Sequence, residues 1–95
     1  MAIIHDVFTV GTTATLICEI PEGNPTISVY IYNSDNNPIF IGDSTISVSG
    51  ASQGLTIPKT TVYEFKINAE DKLYAISSAG TSANAVAVMY SKVVG

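Results

Sequence analysis

Few side chains in this sequence are of the kinds that catalyse reactions. His5 is the only histidine and Cys18 is the only cysteine. A catalytic base needs a nucleophile and an orienting group that converge on it in space. The acid next to His5, Asp6, points to the opposite face of any strand that contains both residues. We therefore interpret His5 as a partly exposed strand residue and expect no enzymatic activity.

Metal ligands are equally sparse. One histidine and one cysteine fall short of the ligand sets that zinc sites use. The run Asn33–Asn37 has the polar character of a calcium loop, but Asp35 is its only acid and Ser44 stands at the twelfth position, where an EF-hand has glutamate. This run is better explained as a hairpin turn. The glycines form no phosphate-binding motif, and we expect no cofactor.

The charge of the chain argues against two classes of partner. It has four basic residues, all lysines, and a net charge of −4. Nucleic-acid binding needs cationic side chains to replace counterions, and arginine is the commonest reader of bases. We therefore expect no nucleic-acid partner. No apolar run approaches the roughly 20 residues of a membrane-spanning helix, and we expect no membrane partner.

Cys18 and the N-terminus bear on where the protein is made. Cys18 is in phase with Ala14, Leu16 and Ile20, a pattern that predicts a small buried hydrophobic side chain. A lone cysteine forms no intrachain disulfide and suits a reducing compartment. The first residues, MAIIHDVF, have neither the basic nor the apolar region of a signal peptide. We expect synthesis in the cytoplasm.

Short β-strands dominate the sequence. In residues 26–48, Ile27, Val29 and Ile31 alternate with Tyr30 and Tyr32, which indicates a strand with two different faces. Similar runs between turn signals predict strands at 3–10, 13–20, 26–32, 38–41, 44–48, 61–67, 72–77 and 85–94, with a shorter one at 55–57. The spacing predicts one domain, residues 1–95, folded as an all-β, antiparallel, jelly-roll-like β-sandwich of about eight strands.

Alternation within two later strands predicts which face is inside. In residues 61–67, the face expected in the core carries Tyr63, Phe65 and Ile67. In residues 85–94, alternate positions form a face of mostly small residues, namely Ala85, Ala87 and Met89. Such a face permits close approach of a second sheet.

Tyr30 and Tyr32 are the best candidates in this sequence for a recognition surface. Two interpretations remain open: their face meets a partner, or it is half-buried surface of a sandwich. Hydrophobic residues make up 46% of the chain and charged residues only 13%. Such a composition predicts that part of the surface is covered by a partner or by copies of the chain itself, although an exterior rich in Thr, Ser and Asn is the alternative.

A longer pattern of strands and turns resembles a known class of proteins. It consists of Ile31-Tyr32-Asn33, the run from Ile39 to Ile46, the segment from Gly54 to Ile57, the run from Asp71 to Ile76, and Ala79-Gly80-Thr81. Across residues 13–90, this arrangement resembles the short β-sandwich virion structural proteins of tailed bacteriophages. The chain departs from the pattern in having no arginine before the asparagine turn and in the greater length of that turn.

The resemblance implies a capsid decoration or cement protein on the outer surface of the major capsid protein, where it would stabilise the shell. It implies a virion location, after synthesis in the cytoplasm of the host bacterium, and a homo-oligomer, with a trimer favoured. Residues 1–10 are expected to form a strand or arm that contacts a neighbouring subunit. The residues expected at the interface are Ile3, Ile4, Val7, Phe8, Tyr30 and Tyr32.

Two other functions stay open at this point. A tail- or fibre-associated adhesin or carbohydrate-binding module would use exposed tyrosines and the polar loop at 33–37. A small enzyme is the less favoured alternative, because no pair of nucleophile and base is visible in the sequence.

Overall fold

A computed structural model describes residues 2–92 and contains eight strands in that range. They are β1 (Ala2–Phe8), β2 (Thr15–Glu19), β3 (Ile27–Asn33), β4 (Ile39–Gly42), β5 (Leu55–Ile57), β6 (Thr61–Ile67), β7 (Lys72–Ile76) and β8 (Val86–Lys92). A single 3-10 turn lies at Gly50–Ser52. The all-β prediction is confirmed. Val93 and Val94, which the predicted last strand included, lie outside the described residues, as does Met1 of the predicted N-terminal arm.

The strands form two antiparallel four-stranded sheets. The first sheet has the order β1-β8-β3-β6 and the second has the order β2-β7-β4-β5. Strands equally far from the two ends of the chain pair with each other: β1 with β8, β2 with β7, β3 with β6 and β4 with β5. A long antiparallel ribbon rolled up in this way is a jelly roll. The predicted jelly-roll-like sandwich is therefore confirmed.

The core lies between the two sheets. Val29 and Ile31 of β3 and Val86 of β8 face Ile39 and Ile57 of the second sheet, and all five are completely buried. Burial of side chains of this size stabilises the fold by roughly 1.5–3 kcal/mol each. The prediction that Ile27, Val29 and Ile31 form the inner face of their strand is confirmed.

Cys18 is buried, as its sequence pattern predicted, but the predicted phase of β2 is wrong. The pairing of β2 with β7 shifts between Leu16 and Cys18, so Ile17 and Cys18 are both buried while Leu16 is exposed. A bulge of this kind adds one residue to a strand and reverses the alternation beyond it. Burial raises the pKa of the Cys18 thiol to about 11, and a hydrogen bond with Tyr90 of the first sheet partly offsets this by lowering the pKa.

The predicted hairpin turn at residues 33–37 is wrong, because β3 and β4 belong to different sheets. The segment is a crossover held by buried polar groups. The Asn33 side chain donates to the backbone oxygens of Asn37 at 2.9 Å and Ile57 at 3.2 Å. The Asp35 carboxylate accepts from the backbone N–H groups of Asn37 at 3.0 Å and Ser82 at 2.8 Å. These hydrogen bonds lower the pKa of Asp35, and the one from the backbone of Ser82 has the largest effect.

The predicted strand at residues 44–48 is also wrong. The carboxylate of Asp43 accepts from the backbone N–H of Thr45 at 2.9 Å and from its hydroxyl at 2.6 Å, which closes a turn. Aspartate competes with strand pairing in this way by bonding the backbone two residues on. The chain then folds over the second sheet, where Ile46 lies against Gly42.

Candidate functional site

The outer face of the first sheet is the surface that stands out in this molecule. Directly paired residues on adjacent strands share a face. One row across the sheet runs from Val7 through Ala87 and Tyr32 to Val62. The next row begins at His5, which pairs with Met89, and continues through Tyr30 to Glu64. The face is thus built from four strands, and most of its side chains are apolar or aromatic.

Six large side chains of this face are exposed, and we call them the outer patch. Their exposed fractions are Ile3 73%, Val7 47%, Tyr30 45%, Tyr32 40%, Val62 56% and Met89 47%. Single exposed hydrophobic residues are normal on a protein surface. A contiguous set of this size is typical of a surface that binds another protein.

Two shallow depressions lie on the patch. The larger has a volume of about 410 Å³ and lies at the end of the sheet where β3 begins, with Ile3, Tyr30 and Met89 among its lining residues. The smaller, of about 220 Å³, lies between the tyrosines and is also lined by His5 and Val62. The surface is therefore contoured enough to receive side chains of a partner.

Charged side chains are confined to one margin of this face. Glu64 and Lys66 are exposed on β6, the last strand of the sheet. Within the described part of β1, β8 and β3, the centre of the face carries Met89, Ala87 and the two tyrosines, and His5 is its one titratable group besides them. An apolar centre with a charged rim is the usual anatomy of a protein interface.

The predicted interface residues separate into two groups. Ile3, Val7, Tyr30 and Tyr32 lie in the outer patch. Ile4 and Phe8 lie on the inner face of β1, where Ile4 pairs with Tyr90 and Phe8 packs against the core. These two cannot contact a partner at the outer face, because β1 alternates its side chains between the faces of the sheet.

Residues 2–8 form a strand within the first sheet. All seven residues of β1 pair with β8 of the same chain. Contact of residues 1–10 with a neighbouring subunit stays a prediction.

Sequence reasoning missed Val62 and Met89. The small-residue face of residues 85–94 would permit close approach of a second sheet, but Ala87 and Met89 lie on the outer face of the first sheet, while Val86 and Val88 are buried. Both sets of alternating residues in this strand are largely apolar, so its pairing with β3, and not its own sequence, identifies the inner face. Of the predicted core face of β6, Ile67 is buried, Phe65 packs against the core, and Tyr63 is 36% exposed.

The outer face of the second sheet differs because the chain covers part of it. Phe40 and Ile76 pair with each other on that face and lie outside the core cluster, yet they are only 8% and 7% exposed. A Cβ atom built on Gly42 would lie 2.1 Å from Cγ2 of Ile46, so glycine leaves room there for the covering segment, residues 43–54.

The described residues offer no cluster of metal ligands. No group of three or more His, Cys, Asp and Glu side chains comes close enough to hold a metal ion within residues 2–92. Between Ala2 and Lys92, no helix has the length and hydropathy needed to cross a bilayer. What the structure does bring together is the outer patch of exposed apolar side chains.

The chain matches no protein-family model, and no curated protein or solved structure matches it at a significant level.

Proposed function

We propose that this chain is a non-enzymatic structural protein of a bacteriophage virion, a capsid decoration or cement protein that binds the major capsid protein through the outer patch. The observation that carries the proposal is the contiguous apolar face of the first sheet. The resemblance of residues 13–90 to virion proteins supplies the identity of the partner. By fold-level analogy, double-sheet jelly rolls are common in viral capsid and lectin domains.

The chemistry of the patch suits a protein partner. Tyrosine and methionine are enriched in the centres of protein interfaces, where charged residues are depleted. Association costs an estimated 4–15 kcal/mol in lost freedom of motion, so one or two buried side chains do not suffice. Six exposed side chains on one face, buried together, supply a broad contact of the required kind.

Attachment outside the shell gives the proposed stabilising role. A protein bound across neighbouring capsid subunits resists their separation, because its own interface must break before they part. Binding to the assembled form alone stabilises that form by mass action. The proposed location is the capsid surface, reached after synthesis in the host cytoplasm.

Sedimentation with shells tests the proposal. The probe is empty capsids built from the major capsid protein of the genome that encodes this chain. Met89→Lys places a charge at the centre of the patch and should weaken binding by tenfold or more, about 1.4 kcal/mol. Leu55→Lys is the matched control, since Leu55 is 57% exposed but lies in the second sheet. Equal binding by the two variants, or no binding by the unaltered chain, would contradict the proposal.

A carbohydrate-binding role is the second candidate. The observation that favours it is the neighbouring pair Tyr30 and Tyr32, which flank the smaller depression. Aromatic side chains provide flat apolar surfaces of the kind on which sugar rings stack. A glycan array on the unaltered chain and on Tyr30→Ala and Tyr32→Ala variants separates the candidates. Binding to a defined glycan that both substitutions abolish would favour the adhesin over the decoration protein.

A further inference from the structure

The four sheet edges of the sandwich are unequally protected against pairing with another strand. The edge strand β6 carries the charged residues Glu64 and Lys66. β2 is interrupted by its bulge between Leu16 and Cys18, and β5 has three residues and is followed directly by Pro58. Charges, bulges, short length and proline are the devices by which proteins keep sheet edges from associating.

β1 has the least protection of the four. Its seven residues pair with β8 without a register shift, and none of them is Pro, Gly or Lys. No strand within residues 2–92 pairs with its other side. Its one charged residue is Asp6, on the inner face; an inward-pointing charge also protects an edge, but β1 has this device alone. A long, regular edge strand presents a row of free N–H and C=O groups that can accept another strand.

The apolar face of the first sheet reaches this edge. Ile3, at 73%, is the most exposed of the large hydrophobic residues described, and Val7 is 47% exposed. Both lie on β1. A strand added beside β1 would therefore gain side-chain contacts on the outer face as well as backbone hydrogen bonds.

We propose that two copies of this chain pair antiparallel through β1, which joins their first sheets into one eight-stranded sheet. A second copy is the occupant that fits, because β1 is self-complementary: in one antiparallel register the exposed Ile3 of each copy lies opposite the exposed Val7 of the other, and no two acids oppose each other. A surface that meets itself produces a two-fold axis. The proposal goes beyond capsid attachment and predicts a dimer, whereas the resemblance to virion proteins implies a trimer.

The side chains of β1 select one register. The outer faces of the two copies stay continuous only if outer residues pair with outer residues. Pairing centred on His5 matches all seven residues and sets Ile3 of each copy opposite Val7 of the other. Pairing centred on Asp6 sets two like charges opposite each other, which is destabilising. Pairing centred on Ile4 uses only the five residues from Ala2 to Asp6.

The molar mass of the isolated protein tests the pairing first, and since no capsid is present the result is independent of the proposed function. Light scattering after gel filtration should give twice the chain mass of 10.0 kDa. Ile3→Lys should halve that mass, because lysine protects a sheet edge. Val62→Lys, on the opposite edge strand, should leave it unchanged. A monomer or a trimer at every concentration overturns the proposal.

Disulfide trapping tests the register. A His5→Cys variant should form a disulfide-linked dimer under mild oxidation, because directly opposed residues on paired strands have the Cα separation that a disulfide needs. Cys18 does not compete, since it is buried and its thiol has a raised pKa of about 11. Val62→Cys, on the far edge strand, is the matched control. Equal trapping at positions 5 and 62, or none at position 5, overturns the proposed pairing.

Discussion

The outer faces of the two sheets are made from similar antiparallel strands, but they differ in how far their central apolar side chains are exposed to solvent. On the second sheet, Phe40 and Ile76 are less than a tenth exposed, and residues 43–54 fold back over Gly42. On the first sheet, Tyr30 and Met89 occupy comparable central positions and are nearly half exposed. The described chain covers part of one apolar face and leaves the other open.

The difference identifies the face on which the proposed partner would bind. An apolar face that a protein hides with its own loop has a structural role, because covering it stabilises the monomer. An apolar face that it leaves uncovered contributes less to the stability of the monomer and favours association. The outer patch is therefore the surface on which both the proposed capsid contact and the proposed sheet extension depend.

The largest expected effect separates the two faces of β3. Ile31→Ala removes a completely buried side chain and should lower the free energy of unfolding by about 2–5 kcal/mol. Tyr32→Ala, one residue along on the open face, should lower it by no more than about 1 kcal/mol. Urea denaturation of both variants measures the contrast. Similar losses would show that the outer face already supports the monomer.

A smaller effect is expected where the covering segment meets the second sheet. A Cβ atom on Gly54 would lie 2.7 Å from the backbone oxygen of Ile41, so Gly54→Ala forces backbone apart and should cost about 1–3 kcal/mol. Gly11→Ala is the control, since nothing lies within 4 Å of the added atom. Thermal unfolding and binding of a hydrophobic dye should both respond to Gly54→Ala alone. An unaffected Gly54→Ala variant would argue against a tightly held covering segment.

The smallest effect is expected at Asp35, whose carboxylate accepts hydrogen bonds that hold the crossover between the two sheets in place. Its pKa is lower in the folded protein than in the unfolded chain, so its carboxylate stabilises the fold above its ordinary pKa of 3.8. That stability is lost as the pH falls through the lower, folded value. Asp35→Asn should be less stable than the unaltered chain at pH 7, and the gap should narrow in acid. Urea titrations across pH 2–7 measure it, and a constant gap would refute a role for the charge.

The sequence was a good guide to the sandwich and a partial guide to the surface. Alternation in residues 26–32 predicted both faces of β3, because a period of two leaves no freedom once one face is apolar. The same kind of alternation predicted the wrong face for Leu16 of β2, because a bulge shifts the phase of that strand. Alternation also predicted a strand at residues 44–48 that does not form, because the carboxylate of Asp43 accepts a hydrogen bond from the backbone N–H of Thr45 and closes a turn there.

Local sequence patterns could not predict the crossover or the orientation of Met89, because both depend on which strands pair. Polar residues at 33–37 serve a hairpin and a crossover equally well, and only the pairing of β3 with β6 and β8 distinguishes them. Whether Met89 points inward depends on the strand beside it, which a single segment does not reveal. Val62, in contrast, follows from the alternation of β6 and could have been added to the predicted interface.

An electron cryomicroscopy map of shells decorated with the unaltered chain tests the central claim most directly. The sheet that contains β1, β8, β3 and β6 should face the capsid surface, with Tyr30 and Met89 buried at the contact. A map in which the second sheet and residues 43–54 face the shell, while the outer patch stays exposed to solvent, would contradict it.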